Sequence, residues 1–310
     1  MRLGLPCLFI LLSSIALAQA PANAPAPPQP TAPAATSDTG ASESNVVYGN
    51  AAGTPLLLDV YQPQSGAQPY SAVLLIHGGS WMNGDKTAMA ALGRWLARNN
   101  FVAFSIDYRL FDGKSKNPWP AQLDDAQRAV RWIRANAAKY HVDPAHIGAF
   151  GHSAGAQMAA LLGEIDTRDN SDPKLAAYSS KVQAVVDASG PVDLTRNNDA
   201  DGEIFLAAFL GATQKQNPEI WRAASPLFGI KPDTAPFLIF HGTQDNSVPI
   251  AESEQFAAAL EKAGIPVTLF KVEDGHTFAT QDAKRKLAIE TVAFFNRTLR
   301  PAATTVPVAK

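Results

Sequence analysis

The residues with the clearest chemical signature are a serine, an aspartate and a histidine, each placed just after a run of strand-forming residues. Ser153 lies in GHSAG, a G-x-S-x-G pattern between an apolar run and a stretch of small helix-forming residues. Asp245 follows residues 237–241 in HGTQDNSVP, and His276 follows residues 267–272 in EDGHTF. A serine hydroxyl becomes a nucleophile when an imidazole accepts its proton and a carboxylate orients that imidazole. The order Ser, Asp, His therefore predicts the nucleophile, acid and base of acyl transfer on a parallel sheet.

Two consecutive glycines supply a second part of that chemistry. Gly78 and Gly79 belong to HGGSW, which follows a short apolar run. Glycines let the main chain approach a carbonyl oxygen closely, so their N–H groups can stabilise its developing negative charge, and the N–H of Ala154 is a further candidate donor. Trp81 either lines the substrate cleft or packs beneath the loop, and His152 is a second candidate lining residue.

Other polar residues compete for these roles. Asp193 follows another predicted strand and is the alternative acid. We expect His77 to hold the glycine loop by hydrogen bonding and His241 to pack at the end of its strand. Glu273 and Asp274 are predicted to be solvated loop charges.

These residues need a scaffold that brings distant loops to one edge, and the pattern of the chain supplies one. Short apolar runs alternate with segments of helical periodicity, which is typical of a mostly parallel, doubly wound α/β sheet with helices on both faces. Ligands of such sheets bind beyond the carboxyl ends of the strands, where every motif above falls. The predicted strands are residues 56–61, 72–76, 101–105, 147–150, 182–188, 237–241 and 267–272, and the predicted helices are residues 87–98, 121–140, 154–162, 253–263 and 284–299.

Residues 193–236 are the best candidate for a small lid insertion over that edge. They contain the apolar sequences EIFLAAFLG and NPEIWRAASPLFG. Before the HGG strand there is room for a pair of strands but not for a long helical cap, so we expect a fairly open cleft.

The two ends of the chain have a different composition from its body. Residues 1–20 combine a basic start, an apolar run and the small-x-small pattern Ala-Gln-Ala, which predicts a cleaved export signal and a secreted or periplasmic protein. Residues 21–45 are rich in Pro and Ala and predict a disordered tether. The predicted catalytic domain then covers residues 46–300, with a flexible tail at 301–310.

The overall composition excludes several functional classes. Hydrophobic residues make up 46% and charged residues 17% of the chain, and the formal net charge is −2, so there is no basic excess for nucleic acid. A single Cys excludes a disulfide scaffold and a thiolate metal cluster. No metal or organic cofactor is implied, no membrane span is expected after signal cleavage, and the expected partner is a small-molecule ester; the composition leaves the oligomeric state open.

A family resemblance becomes specific when the motifs are taken together. The motifs are HGGSW, SIDYRL at 105–110, PWPAQLDDAQRAVRWI at 118–133, VDPAHIGAFGHSAGAQMAALLG at 142–163, FHGTQDNSVPI and EDGHTF. With them, the chain resembles the α/β-hydrolase esterases of the bacterial carboxylesterase, acetyl-xylan and feruloyl esterase type from about residue 46 to residue 299. The resemblance implies the α/β-hydrolase fold, a Ser153–Asp245–His276 triad, and a bracing role for residues 107–109 beneath the oxyanion loop.

The resemblance leaves the substrate open. The expected function is that of a serine carboxylesterase for short-acyl or aryl esters, including esters derived from plant polysaccharides. A kynurenine-formamidase-like amidase, a prolyl-oligopeptidase-type serine peptidase and a non-catalytic hydrolase-fold binding protein are the alternatives. The elbow reads GHSAGA where many feruloyl-type members have a second glycine, and Ser80 stands where lipase-like members often have a third glycine.

Overall fold

The apolar runs of the sequence form strands that pair into one sheet. The computed structural model describes residues 40–51, 53–166, 172–196 and 200–300, and all of them fall in one compact unit. The strands are β1 (Glu43–Ala51), β2 (Thr54–Tyr61), β3 (Tyr70–Ile76), β4 (Val102–Ile106), β5 (Val142–His152), β6 (Ala184–Ala188), β7 (Phe237–Gly242) and β8 (Val267–Val272). The helices are α1 (Ala90–Arg98), α2 (Ala121–Ala135), α3 (Ala154–Glu164), α4 (Ala200–Leu210), α5 (Pro218–Ala223), α6 (Ile250–Lys262) and α7 (Gln281–Leu299).

The order of the strands places the predicted functional loops along one edge. The eight strands lie in the order β1-β2-β4-β3-β5-β6-β7-β8. The β1–β2 and β2–β4 pairs are antiparallel, and all pairs from β4 to β8 are parallel. Strand β5 therefore lies inside the sheet, whereas β8 is an edge strand whose residues are mostly half-buried or exposed. The carboxyl ends of β3, β5, β7 and β8 meet on one side.

Both faces of the sheet are covered, which explains the continuous apolar runs. Along β3, Ala72, Leu74 and Ile76 join a core that includes side chains of α2, α3 and α6. Val73 and Leu75 point the other way, into a core that includes side chains of α1 and α7. This arrangement confirms the predicted doubly wound α/β-hydrolase fold.

The sheet begins slightly earlier than the sequence predicts. Strand β1 starts at Glu43, although the composition predicts a tether up to residue 45. The N–H of Ser42 already donates to the carbonyl oxygen of Val60 at 2.7 Å. An edge strand is held by main-chain pairing, so a polar sequence can join it without an apolar signal. The predicted export signal, most of the tether and the tail lie outside the described residues.

Helix α2 is shorter than its apolar periodicity predicts. The pattern continues to Tyr140, but the helix ends at Ala135. Asn136 follows, and its side-chain amide donates to the carbonyl oxygen of Trp132 at 2.8 Å. An Asn side chain that bonds to the local backbone favours helix termination. Tyr140 is still buried, because the turn after the helix keeps it against the same core.

A small helical insertion lies between β6 and β7, as expected for the lid. It contains α4, α5 and a 3₁₀ turn at Pro226–Phe228. Phe209 of α4 is fully buried and stacks on Trp81 with ring centroids 4.6 Å apart, which ties the insertion to the glycine loop. Across the described ranges, no helix has the length and apolar character needed to cross a bilayer.

Candidate active site

Ser153 occupies a sharp turn between β5 and α3. Its backbone angles are φ 53° and ψ −122°, which non-glycine residues rarely adopt. The neighbouring glycines make the turn sterically feasible: a Cβ at Gly155 would lie 2.2 Å from the carbonyl oxygen of Ile76, and one at Gly151 would lie 2.1 Å from that of Gly155. The N–H of Ser153 donates to the carbonyl oxygen of Ala188 at 2.9 Å, so the turn is also bonded to β6. The serine is held above the carboxyl edge of the sheet.

The structure brings together the three residues predicted to form the triad. His276 Nε2 lies 2.8 Å from Ser153 Oγ, and His276 Nδ1 lies 2.7 Å from Asp245 Oδ2. An ionised carboxylate only accepts hydrogen bonds, so Nδ1 carries the proton and Nε2 accepts from the serine hydroxyl. This is the arrangement needed for an imidazole to take the serine proton.

The carboxylate of Asp245 is firmly held and ionised. Its side chain is fully enclosed, and its Oδ1 accepts from the N–H groups of Ser247 at 2.8 Å and Val248 at 2.9 Å. Burial raises the pKa of Asp245, but these N–H groups and His276 outweigh burial and hold the pKa below its ordinary value. Asp245 therefore carries its negative charge at neutral pH.

The glycine loop packs directly on the turn that carries the serine. A Cβ at Gly78 would lie 2.9 Å from the carbonyl oxygen of His152 and 3.1 Å from Cβ of Ser153. Gly79 has φ 119°, and a Cβ there would lie 2.0 Å from the carbonyl oxygen of Asn83. Ala154 is the first residue of α3, so its N–H has no acceptor within the helix. Gly78 and Ala154 thus lie beside the serine, Gly79 follows Gly78 in the same loop, and the role of the three as oxyanion donors stays a prediction.

Residues 107–109 brace the glycine loop from below. The hydroxyl of Tyr108 donates to the carbonyl oxygen of His77 at 3.1 Å, and the two rings stack with centroids 4.3 Å apart. His77 Nδ1 lies 2.7 Å from the carbonyl oxygen of Gly78 and donates to it. Burial lowers the pKa of His77, so its ring is neutral and supports the loop by hydrogen bonding, as expected from the sequence. Arg109 anchors the segment through a two-nitrogen contact with the buried carboxylate of Asp125.

A cavity of about 360 Å³ opens at Ser153 and His276. Trp81 lines it and also packs beneath the loop, because its indole N–H donates to Gln157 Oε1 at 3.2 Å while its ring stacks on Phe209. Trp81 therefore does both things that the sequence offers as alternatives: it lines the cavity and it packs beneath the glycine loop. The other lining residues are Ser80, Ala154, Pro191, Asp193, Leu194, Arg196, Gly202, Phe205, Leu206, Ser247, Val248, Pro249 and Glu252.

His152 does not line this cavity, contrary to the expectation. Adjacent residues at a strand end point to opposite sides, and His152 lines a separate groove between α1 and α7. Its Nε2 lies 2.9 Å from the carbonyl oxygen of His276. Nε2 therefore donates to that oxygen, and His152 holds the loop of the predicted base.

The alternative acid, Asp193, is hydrogen-bonded to Thr195 rather than to the base. Asp193 is part of the cavity wall, where its Oδ1 accepts from the N–H and hydroxyl of Thr195. The carboxylate bonded to His276 belongs to Asp245. The geometry thus favours Asp245 over Asp193 as the acid.

Asp274 is not a solvated loop charge, contrary to the expectation from the sequence. Its Oδ1 accepts from the N–H groups of Gly275 and Ala279, and its Oδ2 accepts from the N–H and hydroxyl of Thr280. The Thr280 bonds are the main cause of a pKa lowered to about 2. This carboxylate closes the turn that carries His276. The sequence signal for it is Thr280, which also caps the N-terminus of α7.

Asp187, a buried acid beside the elbow, gives a pH-dependent prediction. It pairs with Gly151 in the sheet, its Oδ1 accepts from Gly190 N–H at 2.8 Å, and its Oδ2 meets no partner among the described residues. Burial raises its pKa from 3.8 to about 7. The folded state therefore binds a proton that the unfolded state releases, and stability falls as the pH rises from about 4 to 7.

Asp187→Asn removes the loss of stability that ionisation of this buried carboxyl causes. We expect the variant to unfold about 3–6 °C above the wild type at pH 8, where the folded wild type has to bury a charged carboxylate, and close to it at pH 4, where the folded carboxyl is neutral like the amide. Thermal unfolding followed by circular dichroism at the two pH values measures this. A variant that is less stable than the wild type at both pH values would contradict the buried-acid interpretation.

Comparisons with known proteins found a family model and several relatives that are similar to this chain. The BD-FAE family model matches residues 58–260. Esterase LipQ of Mycobacterium tuberculosis is 34% identical over 233 residues, which are 72% of this chain and 54% of LipQ. The chain spans about half the length of the curated relatives that it matches first.

Solved structures match nearly over their full length. A thermophilic esterase of Thermogutta terrifontis, Est2 with butyrate bound, gives a TM-score of 0.74 at 27% identity and covers 86% of this chain and 98% of Est2. A truncated carbohydrate esterase from gut microbiota gives a TM-score of 0.70 at 30% identity and covers 84% of this chain and 97% of that one. Both neighbours share the fold described above.

Proposed function

The chain belongs to the BD-FAE family of α/β-hydrolases, and from this premise we propose that it is a serine hydrolase of carboxylic esters. The observation that carries the proposal is the hydrogen-bonded series from Asp245 through His276 to Ser153, which ends at an open cavity. A non-catalytic protein of this fold would usually lack a member of that series, and here all three are present. Relatives and structural neighbours described as esterases support the ester over other acyl substrates.

The first half of the reaction follows from the positions of the protons. Ser153 Oγ attacks the ester carbonyl carbon while His276 Nε2 takes the hydroxyl proton. The resulting imidazolium is stabilised by Asp245, which is ionised and already bonded to Nδ1. When the C–O bond of the tetrahedral intermediate breaks, the alcohol leaves with the proton from Nε2, and an acyl-serine remains.

The second half repeats these transfers with water. His276 removes a proton from water, the hydroxide oxygen adds to the acyl carbon, and Ser153 leaves with the proton to regenerate the enzyme. In both halves the negative oxygen would lie against the N–H groups of Gly78, Gly79 and Ala154. These donors are fixed by the backbone before substrate binds, so little reorganisation is needed when the charge develops.

Esters with a short acyl group are the proposed substrates. The cavity is near the lower end of the 300–1,000 Å³ range typical of small-molecule sites, and Trp81, Phe205 and Leu206 form its apolar wall. The butyrate-bound Est2 neighbour supports a short acyl group, and the carbohydrate esterase neighbour supports an ester of polysaccharide origin. The proposed export signal in residues 1–20 supports a substrate in the periplasm or outside the cell.

We expect kcat/KM for p-nitrophenyl acetate and butyrate to exceed that for the dodecanoate by about tenfold or more. The reason is that the end of a long acyl chain would extend beyond the apolar wall of the cavity and stay exposed to water. Phe205→Ala, which widens the cavity, should improve the longer esters relative to acetate. Ile204→Ala is the matched control, since Ile204 is 69% exposed on the same helix and does not line the cavity. Faster turnover of long-chain than of acetyl or butyryl esters would refute the short-acyl assignment.

The natural ester is distinguished from the amide alternative by direct comparison. Acetylated xylan, methyl ferulate and N-formylkynurenine present the same acyl-transfer step with different leaving groups. We expect release of acetate from xylan or ferulate from its methyl ester at rates well above hydrolysis of the formamide. A preference for N-formylkynurenine would reassign the protein as an amidase without changing the nucleophile.

A further inference from the structure

A second histidine lies against the carboxylate of Asp245. His241, near the end of β7, is completely buried. Its Nε2 lies 3.0 Å from the carbonyl oxygen of Val248 and 3.2 Å from Asp245 Oδ2. Its Nδ1 lies 2.7 Å from the hydroxyl oxygen of Ser253 on α6. A side chain that only packed at a strand end would not need three polar partners.

The partners of His241 determine which nitrogen carries its proton. The carbonyl oxygen of Val248 only accepts hydrogen bonds, so Nε2 is the protonated nitrogen. Nδ1 then accepts from the Ser253 hydroxyl, which has a proton to donate. The tautomer is fixed from both sides of the ring: Nε2–H donates to Val248, and the same nitrogen lies 3.2 Å from Asp245 Oδ2.

The charged groups around His241 agree with a neutral ring. Burial is the main cause that lowers its pKa, and the nearby His276 lowers it further, against the opposite effects of Val248 and Asp245. On the neighbouring strand, Lys271 pairs with His241 in the sheet, but its ammonium group bonds to Glu254 at 2.6 Å on the surface. His241 thus acts as a fixed N–H donor rather than as a second cation.

The contact completes the set of donors around Asp245. Oδ1 accepts from the N–H groups of Ser247 and Val248, Oδ2 is bonded to His276 Nδ1–H, and His241 Nε2 lies 3.2 Å from the same Oδ2. Without His241, Oδ2 would be fixed only by the residue that it has to orient. We propose, on the basis of the function proposed above, that His241 is a positioning residue whose Nε2–H, locked by Ser253, fixes the Asp245 oxygen used by His276.

Two substitutions separate this role from packing. His241→Leu removes the donor, whereas His241→Gln places an amide N–H near the position of Nε2. In His241→Leu we expect kcat for p-nitrophenyl acetate to fall about tenfold with KM unchanged, because the polar N–H group 3.2 Å from the charged Asp245 oxygen is lost. His241→Gln should recover most of that loss.

The pH dependence gives a readout that packing alone would not change. A carboxylate that has lost one donor accepts more strongly from an imidazolium, so protonated His276 is favoured in His241→Leu. We expect the acid limb of kcat/KM to move to higher pH. The NMR titration of the His276 ring protons, measured without substrate, should move in the same direction, and His241→Gln should keep the wild-type profile.

The matched control is the pair His146→Leu and His146→Gln. His146 also contacts a carboxylate, Asp143 at 2.8 Å, but lies at the start of β5 away from the site, so neither change should affect kcat or the His276 titration. A folded His241→Leu with the wild-type rate and titration would overturn the proposal. So would a His241→Gln that loses as much activity as His241→Leu.

Ser253→Ala tests the same role if His241→Leu fails to fold. It keeps the ring but removes the donor to Nδ1, and we expect a smaller loss of kcat and a shift of the His276 titration in the same direction. An unchanged rate and titration in this variant would overturn the proposal. Because the titration needs no substrate, the two proposals fail separately: an inactive wild type would refute the proposed function, and an unshifted His276 titration would refute the positioning role.

Discussion

Ser153→Ala is expected to reduce kcat for ester hydrolysis by about 10⁴- to 10⁶-fold. The variant keeps the cavity and the N–H groups of the glycine loop, but it has no atom that can form the acyl intermediate. The backbone of Ser153 lies in a strained region, and serine and alanine are strained there to a similar degree because both have a Cβ. The substitution should therefore preserve the fold and change the stability little. Initial rates with p-nitrophenyl acetate, together with circular dichroism of both proteins, measure the effect.

A serine in the same cavity provides the matched control. Ser247 lines the cavity, and its backbone N–H, not its side chain, donates to Asp245. Ser247→Ala should therefore hydrolyse the ester near the wild-type rate. Equal activity in Ser153→Ala and wild type would refute the assignment of Ser153 as the nucleophile. Absence of activity in both proteins would refute the proposed esterase function.

Asp245→Asn is expected to reduce kcat by about 10⁴-fold while leaving the fold intact. The amide oxygen would keep the place of Oδ1, where two backbone N–H groups need an acceptor. The amide nitrogen would then face His276 Nδ1 and force the proton of the imidazole onto Nε2, where it points at Ser153. In that tautomer the imidazole cannot accept the serine proton, and no carboxylate stabilises the imidazolium.

The same experiment decides between the two candidate acids. Asp193→Asn alters the cavity wall but not the contact to His276, so kcat should change little and any effect should fall on KM. Single-turnover rates with p-nitrophenyl acetate compare the two variants. If Asp193→Asn lost as much kcat as Asp245→Asn, the acid would have to be reassigned.

The parts of the molecule that local sequence signals determine can be predicted well. The elbow at Ser153 needs glycines on both sides of one turn, and those glycines stand in the sequence. Buried parallel strands such as β3, which is apolar from Ala72 to Ile76, are predicted by short runs without alternation. Strand β1 has no such signal, because its sequence, ESNVVYGNA, is mostly polar and the pairing that holds it is made by the main chain.

Side chains that act through distant partners cannot be predicted in this way. His152 reaches the carbonyl oxygen of His276, 124 positions along the chain, and nothing next to His152 signals that contact. The sequence predicts packing for His241 because strand-end histidines commonly pack, and only the fold brings Ser253 to its other nitrogen. The sequence predicts a solvated Asp274 because a short Glu-Asp-Gly segment resembles an exposed turn, whereas four local donors enclose its carboxylate.

The position of β8 at the edge of the sheet divides the proposed machinery between two regions of unequal rigidity. Ser153 follows an interior strand and precedes α3, whose residues are all buried, whereas His276 follows a strand that is mostly half-buried or exposed. Edge segments open with less free energy than the core, so the base separates from the nucleophile before the sheet comes apart. On heating, esterase activity should therefore be lost at a lower temperature than the far-ultraviolet circular dichroism signal. Activity depends on the loop after β8, whereas circular dichroism averages over the whole chain.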